Sequence, residues 1–338
     1  MSTLHFDRHV AEQPDTVRRL LTDPEVPALD PGRPIVFTGI GTSLHAAQIA
    51  AGWVEALTHG RVRASAVNAH DLAVTSAVQP TDQVVVISHR GTKRYPNMVL
   101  RKASEVGAAT VCITGVGQAE PEANLVLRTC PQEKASTHTV SHTAALTVLA
   151  RLVGALLEDA ASELIDALRD VPGQLERALA FRPSAAAVDA LVRDEGVPAL
   201  IAGTGTDAIT AQEVALKLKE GTYRWVEGMH TEFALHGTPA VFRPGMSAFL
   251  IAPSGEDGGR YEDLSGFLGK LGARVLRCAD DDHADLRFAR THPLMRPIVA
   301  TLPFHLLVSE VAREVGSSPD LTHFEAEAWK AAFSQVTL

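Results

Sequence analysis

Ile35-Val36-Phe37-Thr38-Gly39-Ile40-Gly41-Thr42-Ser43 and Ala199-Leu200-Ile201-Ala202-Gly203-Thr204-Gly205-Thr206-Asp207 carry one pattern twice. Each is a short β-rich run, then glycine, one residue, glycine, and the start of a helix-period stretch. The copies are 164 residues apart (203 − 39 = 164). Residues 84–88 (VVVIS) and 248–252 (AFLIA) repeat at the same offset (248 − 84 = 164). After each comes a helical stretch ending in Gly107-Ala108 or Gly272-Ala273, then a short strand at 110–113 or 274–276. Three features in one register identify two copies of one domain.

Alternation of short strands with helical segments is the pattern of βαβ units, in which helices cover both faces of a parallel sheet. The expected fold class is therefore α/β, with two doubly wound parallel-sheet domains. The stretch 160–198, rich in Ala, Leu and charge, reads as helices linking the halves, with Pro172 and Pro183 as breakers. Residues 7–22 and 323–336 also read as helical. A boundary near Phe181 divides an N-terminal domain, 1–180, from a C-terminal domain, 181–338.

At 338 residues and 36.0 kDa the chain has the length of about two domains. Hydrophobic residues at 46% and charged residues at 21% provide ample core and exclude disorder. The sequence shows no apolar run approaching the ~20 residues of a membrane span. Residues 1–8 lack the basic start and apolar stretch of a signal peptide. Cys112, Cys130 and Cys278 are too few and too scattered for a disulfide frame or a zinc knuckle. The expectation is a cytoplasmic protein with no membrane partner. Net charge −9 excludes broad nucleic-acid binding, which needs a basic surface. The pattern Gly39-x-Gly41 lacks the third glycine of a dinucleotide fingerprint, and no cofactor or metal is expected.

A small anionic ligand fits better. A glycine turn between strand and helix leaves backbone N–H groups free to face an anion. The first half has two, Gly41-Thr42-Ser43 and Ser88-His89-Arg90-Gly91-Thr92-Lys93-Arg94. In the second half the matching turn, Ala252-Pro253-Ser254-Gly255-Glu256-Asp257, carries two carboxylates that would repel an anion. The first half then grips the ligand while the second supplies something else. There Glu213, Lys217 and Glu220 share one helical face, as an exposed salt-bridged surface or as acid–base groups. His236 lies in a turn, as a helix-end donor or a catalyst. His138 and His142 have the i, i+4 spacing that could seat a metal on a helix, but no acidic third ligand is near. His70-Asp71, His292 and His305 have no evident partner.

These residues resemble the tandem sugar isomerase (SIS) domain family, which contains the isomerase half of glucosamine-6-phosphate synthase and stand-alone isomerases and deaminases. The likeness runs through Glu12-Gln13-Pro14, Gly41-Thr42-Ser43, the 88–93 loop, Ala135-Ser136-Thr137, Ala215-Leu216-Lys217-Leu218-Lys219-Glu220, Glu232 and His236-Gly237. It implies that Ser43, Ser88 and the loop through Gly91 hold the anionic end of a sugar and that Ser136 touches its hydroxyls. By the same resemblance Glu220 moves a proton between C1 and C2, Lys217 lines the pocket, and His236 opens the sugar ring from a neighbouring subunit. A homodimer with a shared site is thus implied. The implied reaction is aldose–ketose isomerisation through a cis-enediol. The alternatives are deamination or deglycation of an amino-sugar phosphate, and sugar-phosphate sensing without catalysis.

The chain departs from the family at three places. The phosphate loop has hydroxyls at its third and sixth positions in the family, whereas this chain has Arg90 and Lys93, which suggests a 6-phosphorylated or 6-sulfonated hexose held differently. The family's tail lysine aligns with Phe333, and Lys330 lies one helical turn earlier. One extra residue separates Glu232 from His236. The glutamine-dependent synthase reaction, which needs a further domain with an N-terminal cysteine, is not expected of a chain that offers Ser2.

Overall fold

A computed structural model of the protein describes residues 4–23, 26–193 and 198–336. Ser2 and part of the linking stretch, 194–197, lie outside the described residues. In chain order α1 (His5–Ala11) and α2 (Gln13–Thr22) precede β1 (Ile35–Gly39), α3 (Thr42–Thr58), β2 (Ala64–Asn68) and α4 (Ala69–Val74). Next come β3 (Gln83–Ile87), α5 (Arg94–Glu105), β4 (Ala109–Val116), β5 (Leu125–Pro131), α6 (Val140–Leu157), α7 (Ser162–Leu179) and α8 (Ala185–Val192). The second copy contains β6 (Ala199–Gly203), α9 (Thr206–Thr222), β7 (Val226–His230), α10 (Thr231–Leu235), β8 (Ser247–Ile251) and α11 (Arg260–Leu271). It closes with β9 (Arg274–Ala279), β10 (Leu286–Arg287), α12 (Arg296–Val299), α13 (Leu302–Val315) and α14 (Glu327–Phe333).

The strand order is β2-β1-β3-β4-β5 in one five-stranded sheet and β7-β6-β8-β9-β10 in the other. Every pairing is parallel. The two sheets thus share one doubly wound topology, and the expected α/β class and internal repeat are present. Continuous apolar strands explain the parallel arrangement, because helices bury both faces of such a sheet. Val84, Val86 and Cys112 pack with Val99 and Leu100 of α5 in the first copy. Leu200, Ala202 and Leu250 pack with Leu264 and Leu268 of α11 in the second.

The chain does not divide at a single cut near residue 180. One compact unit gathers Glu12–Glu133, Thr139–Asp170 and His323–Leu338, and the other Met1–Ala11, Lys134–His138 and Val171–Thr322. We call these the first and second units. Helix α1 belongs to the second because Asp320 caps it, accepting the N–H groups of His5 (2.9 Å) and Phe6 (2.8 Å). Asp7 of α1 also pairs with Arg313 at 2.6 Å. Pro172 is no breaker but lies inside α7. Leu164, Leu168, Val171, Leu175 and Ala178 recur at helical spacing and are all buried, and that apolar face sustains the helix through the proline. The terminal 323–336 stretch is helical only over α14.

Among the described residues two helical stretches, Val140–Leu179 and Pro293–Val315, are long and apolar enough to cross a membrane by length and composition alone. Their most apolar windows are 78% and 83% buried inside the fold, which makes them core helices.

Candidate functional site

In each unit the direction of winding reverses between the first and third strands of the copy, the place where open α/β sheets receive ligands. In the first unit the turns after β1 and β3 flank that point. A Cβ at Gly39 would lie 2.6 Å from the backbone carbon of Ser43, and one at Gly203 would lie 2.7 Å from the Asp207 carbonyl oxygen. Only glycine lets the helix start this close to the strand end. Thr42 and Ser43 open α3, half-buried, just after Gly41.

Beyond β3, the Ser88 N–H donates to the Ile113 carbonyl (2.9 Å), and the Ser88 carbonyl accepts from Gly91 N–H (3.0 Å), which closes the turn. Gly91 has φ 66°, favourable to glycine. The His89 carbonyl accepts from Gly115 N–H and from Gln132 Nε2, both at 2.9 Å, and so pins the loop to its neighbours. The Ser88 hydroxyl is buried and has no hydrogen-bond partner among the described residues, a state that costs about 1–3 kcal/mol unless a ligand completes it. Lys93 is half-buried, and burial first, then the Arg90 charge, holds its pKa below the ordinary lysine value. Two cations that repel each other, in the same turn as an unsatisfied hydroxyl, suit an anion. Gly41, Thr42, Ser43, Ser88, His89, Arg90, Gly91 and Lys93 all belong to the first unit.

Ser136, Lys217, Glu220 and His236 belong to the second. The Glu213, Lys217 and Glu220 face is not a solvated surface. The Glu213 and Lys217 side chains are 0% and 1% exposed, and Glu220 is 32% exposed. Lys217 Nζ donates to Glu220 Oε2 at 2.7 Å and sits 3.7 Å from Glu213 Oε1. The arrangement is a carboxylate tethered from beneath and open to its surroundings at the rim of α9. The Ser136 segment is held by contacts that sequence reading misses. Ser136 N–H donates to the Asp320 carbonyl and Thr137 N–H to that of Pro319, each at 3.0 Å. His9 Nε2 accepts the Lys134 N–H at 3.0 Å, across 125 residues of sequence. No local signal marks such partners.

His236 ends α10 and is exposed, with its Nε2 2.9 Å from Glu232 Oε2. Arg260, from the start of α11, forks onto the same carboxylate and also reaches Asp263 at 2.7 Å. The Arg260 hydrogen bond, ahead of its charge and that of His236, holds the Glu232 pKa low. His138 and His142 do not share a helix face, because α6 begins at Val140 and His138 precedes it. Among the described residues no cluster of three or more His, Cys, Asp or Glu could hold a metal.

The second copy closes its own version of the anion turns. At the 164-residue offset Ser43 becomes Asp207 and Ser88 becomes Ala252. Arg296, unremarked in the sequence, donates to Asp207 Oδ1 (3.2 Å), to Asp207 Oδ2 (2.8 Å) and to the Ala252 carbonyl. Both side chains of the pair are 5% exposed. Burial pushes Asp207 upward in pKa while Arg296 opposes it. Asp257 accepts from Gly259 N–H (2.9 Å) and Tyr261 N–H (2.8 Å), so the chain's own carboxylate serves the start of α11.

Comparison with known proteins agrees with this layout. Residues 29–153 match the SIS domain. Glutamine–fructose-6-phosphate aminotransferase [isomerizing] of Zymomonas mobilis is 27% identical over 94% of this chain and 57% of its own length. The chain spans about half the length of the curated relatives it matches. Among solved structures, the C-terminal domain of glucosamine-fructose-6-phosphate aminotransferase from Francisella tularensis has a TM-score of 0.80 at 20% identity, covering 94% of this chain and 98% of that one. Glucosamine-6-phosphate deaminase from Thermotoga maritima has a TM-score of 0.71 at 17% identity, covering 94% and 97%. Residues 29–153 thus match a SIS domain, and the doubly wound sheet of that copy recurs in the second.

Proposed function

We propose that the protein is an aldose–ketose isomerase of an anionic hexose, working through a cis-enediol. The observation that carries the reading is Glu220, half-buried and fixed at one oxygen by the interior ammonium of Lys217. An enediol shift needs one base that takes a proton from one carbon and returns it to the next. A tethered, partly exposed carboxylate does this without rotating away. His236 donates to the ring oxygen, Ser136 orients the open chain, and Lys217 lines the pocket from beneath by holding Glu220. Gly41, Thr42, Ser43 and the loop Ser88, His89, Arg90, Gly91 and Lys93 hold the anionic tail, a 6-phosphate or 6-sulfonate. The working form is a cytoplasmic homodimer in which His236 serves the partner's site. Exposed Trp225, Phe233 and Val241 near α10 supply apolar surface for that contact.

The test is proton exchange. Incubated with 6-phospho and 6-sulfo hexoses in D2O, the protein is expected to wash deuterium into C1 or C2 of its substrate, read by NMR. Glu220→Gln removes the base but keeps the shape, and should lower kcat about 10²–10⁴-fold with KM nearly unchanged. Ligand binding without exchange would sink the enzymatic reading in favour of a sensor. Ammonia released from a 6-phospho-amino hexose would assign a deaminase instead.

A further inference from the structure

His236 stands in an ionic chain that its proposed role does not require, and that chain has a direction. Its Nε2 faces Glu232 Oε2 at 2.9 Å across one helical turn. The carboxylate is shared, because Arg260 donates to it through Nε and through Nη2, the latter at 3.0 Å. Arg260 is anchored in turn by Asp263 at 2.7 Å within α11. His230 Nδ1 accepts the Glu232 N–H at 3.0 Å and fixes the base of α10. Of the elements packed on α10, β7 also carries Glu227 and α11 also carries Tyr261, Glu262 and Lys270, whereas β6 and the turn Thr238–Val241 carry no titratable side chain.

We propose that Glu232 and Arg260 are the positioning residues of His236, set against each other to tune its hold on a proton. The proposal rests on His236 acting as the ring-opening donor. In that step the bond between the anomeric carbon and the ring oxygen breaks. The ring oxygen takes a proton from His236, and the anomeric hydroxyl loses its own to water as the carbonyl forms, so the step is redox-neutral. With Nε2 turned to Glu232, Nδ1 is the nitrogen left to donate, and donation requires the doubly protonated imidazolium. Glu232 stabilises that cation, whereas Arg260 draws on the same carboxylate and repels the imidazolium. Arg260 thus limits how far Glu232 strengthens the proton's hold, since a donor held too tightly does not transfer.

The opposed roles give opposed shifts. His236 is titrated by NMR in the full-length protein, with its resonance assigned by loss in His236→Gln. Glu232→Gln should lower the midpoint and Arg260→Gln should raise it, each by about 0.2–0.7 pH unit for pairs this exposed. Arg260→Lys, which keeps the charge, should return the midpoint towards that of the parent. The alkaline limb of kcat should move with each midpoint. Unchanged midpoints, or shifts in one direction for both Gln variants, overturn the proposal. Midpoints that move while the kcat limb stays put overturn the catalytic link and with it the donor role of His236. Absence of C1/C2 exchange in the parent protein is a separate failure, of the isomerase reading itself.

Discussion

Lys93 shows how a single residue trades solvation for binding. Burial and the nearby Arg90 disfavour its charged form, so in the folded protein it sheds its proton at a lower pH than an ordinary lysine. In the proposed site the bound anion would need that charge and pull the pKa back upward. KM is therefore expected to rise with pH below the range where a lysine of pKa 10.5 titrates, and the rise should vanish in Lys93→Thr. At neutral pH Arg90→Ser and Lys93→Thr should each raise KM roughly ten- to a hundredfold, with kcat little changed, because each removes a charge-assisted hydrogen bond. Steady-state kinetics across pH checks both statements. Loop variants that bind and turn over substrate like the parent would show these cations pointing away from it.

At the scale of elements, one supersecondary unit is used twice for different ends. In the first copy the turns after β1 and β3 carry a buried serine hydroxyl without a hydrogen-bond partner among the described residues, and two cations. In the second the equivalent turns are joined by the buried Asp207–Arg296 pair. Removing one partner of such a pair leaves a buried charge uncompensated, at a cost of about 3–5 kcal/mol. Asp207→Ala and Arg296→Met are each expected to destabilise by that order in urea unfolding. Asp207→Leu combined with Arg296→Met should recover most of the loss, because apolar packing replaces a costly desolvated pair. Equal destabilisation by the double variant would mean that the geometry of the pair, rather than charge balance, holds α12 against the sheet end.

For the whole molecule, the proposed homodimer makes a prediction that no single-chain site can mimic. A site that takes Glu220 from one subunit and His236 from the other is intact once in every mixed dimer of Glu220→Gln and His236→Ala chains. Unfolding and refolding the two inactive variants together should restore about a quarter of the parent activity, as random pairing in a twofold dimer gives. Light scattering should show a dimer throughout. No recovery on mixing, with dimers present, would place both groups in one chain.

The repeat and the α/β class were legible in the sequence because strand and helix periods, and the glycines between them, are local properties, whereas the strand order came from the structure. Gly39 and Gly203 are required by atoms only four residues away, so their 164-residue spacing carries the repeat on its face. The loop at Ser88 was legible for the same reason. Burial and partnership were not. The face of Glu213, Lys217 and Glu220 has the spacing of a solvated salt-bridge ladder, and only packing of α9 against the sheet and α13 turns it inward. Arg296 finds Asp207 across 89 residues and His9 finds Lys134 across 125. Helix α1 joins the second unit through Asp320. Periodicity fixes what a segment is. Which distant charge it meets, and whether water remains between them, is settled only when the chain closes on itself, because desolvation depends on every neighbour at once.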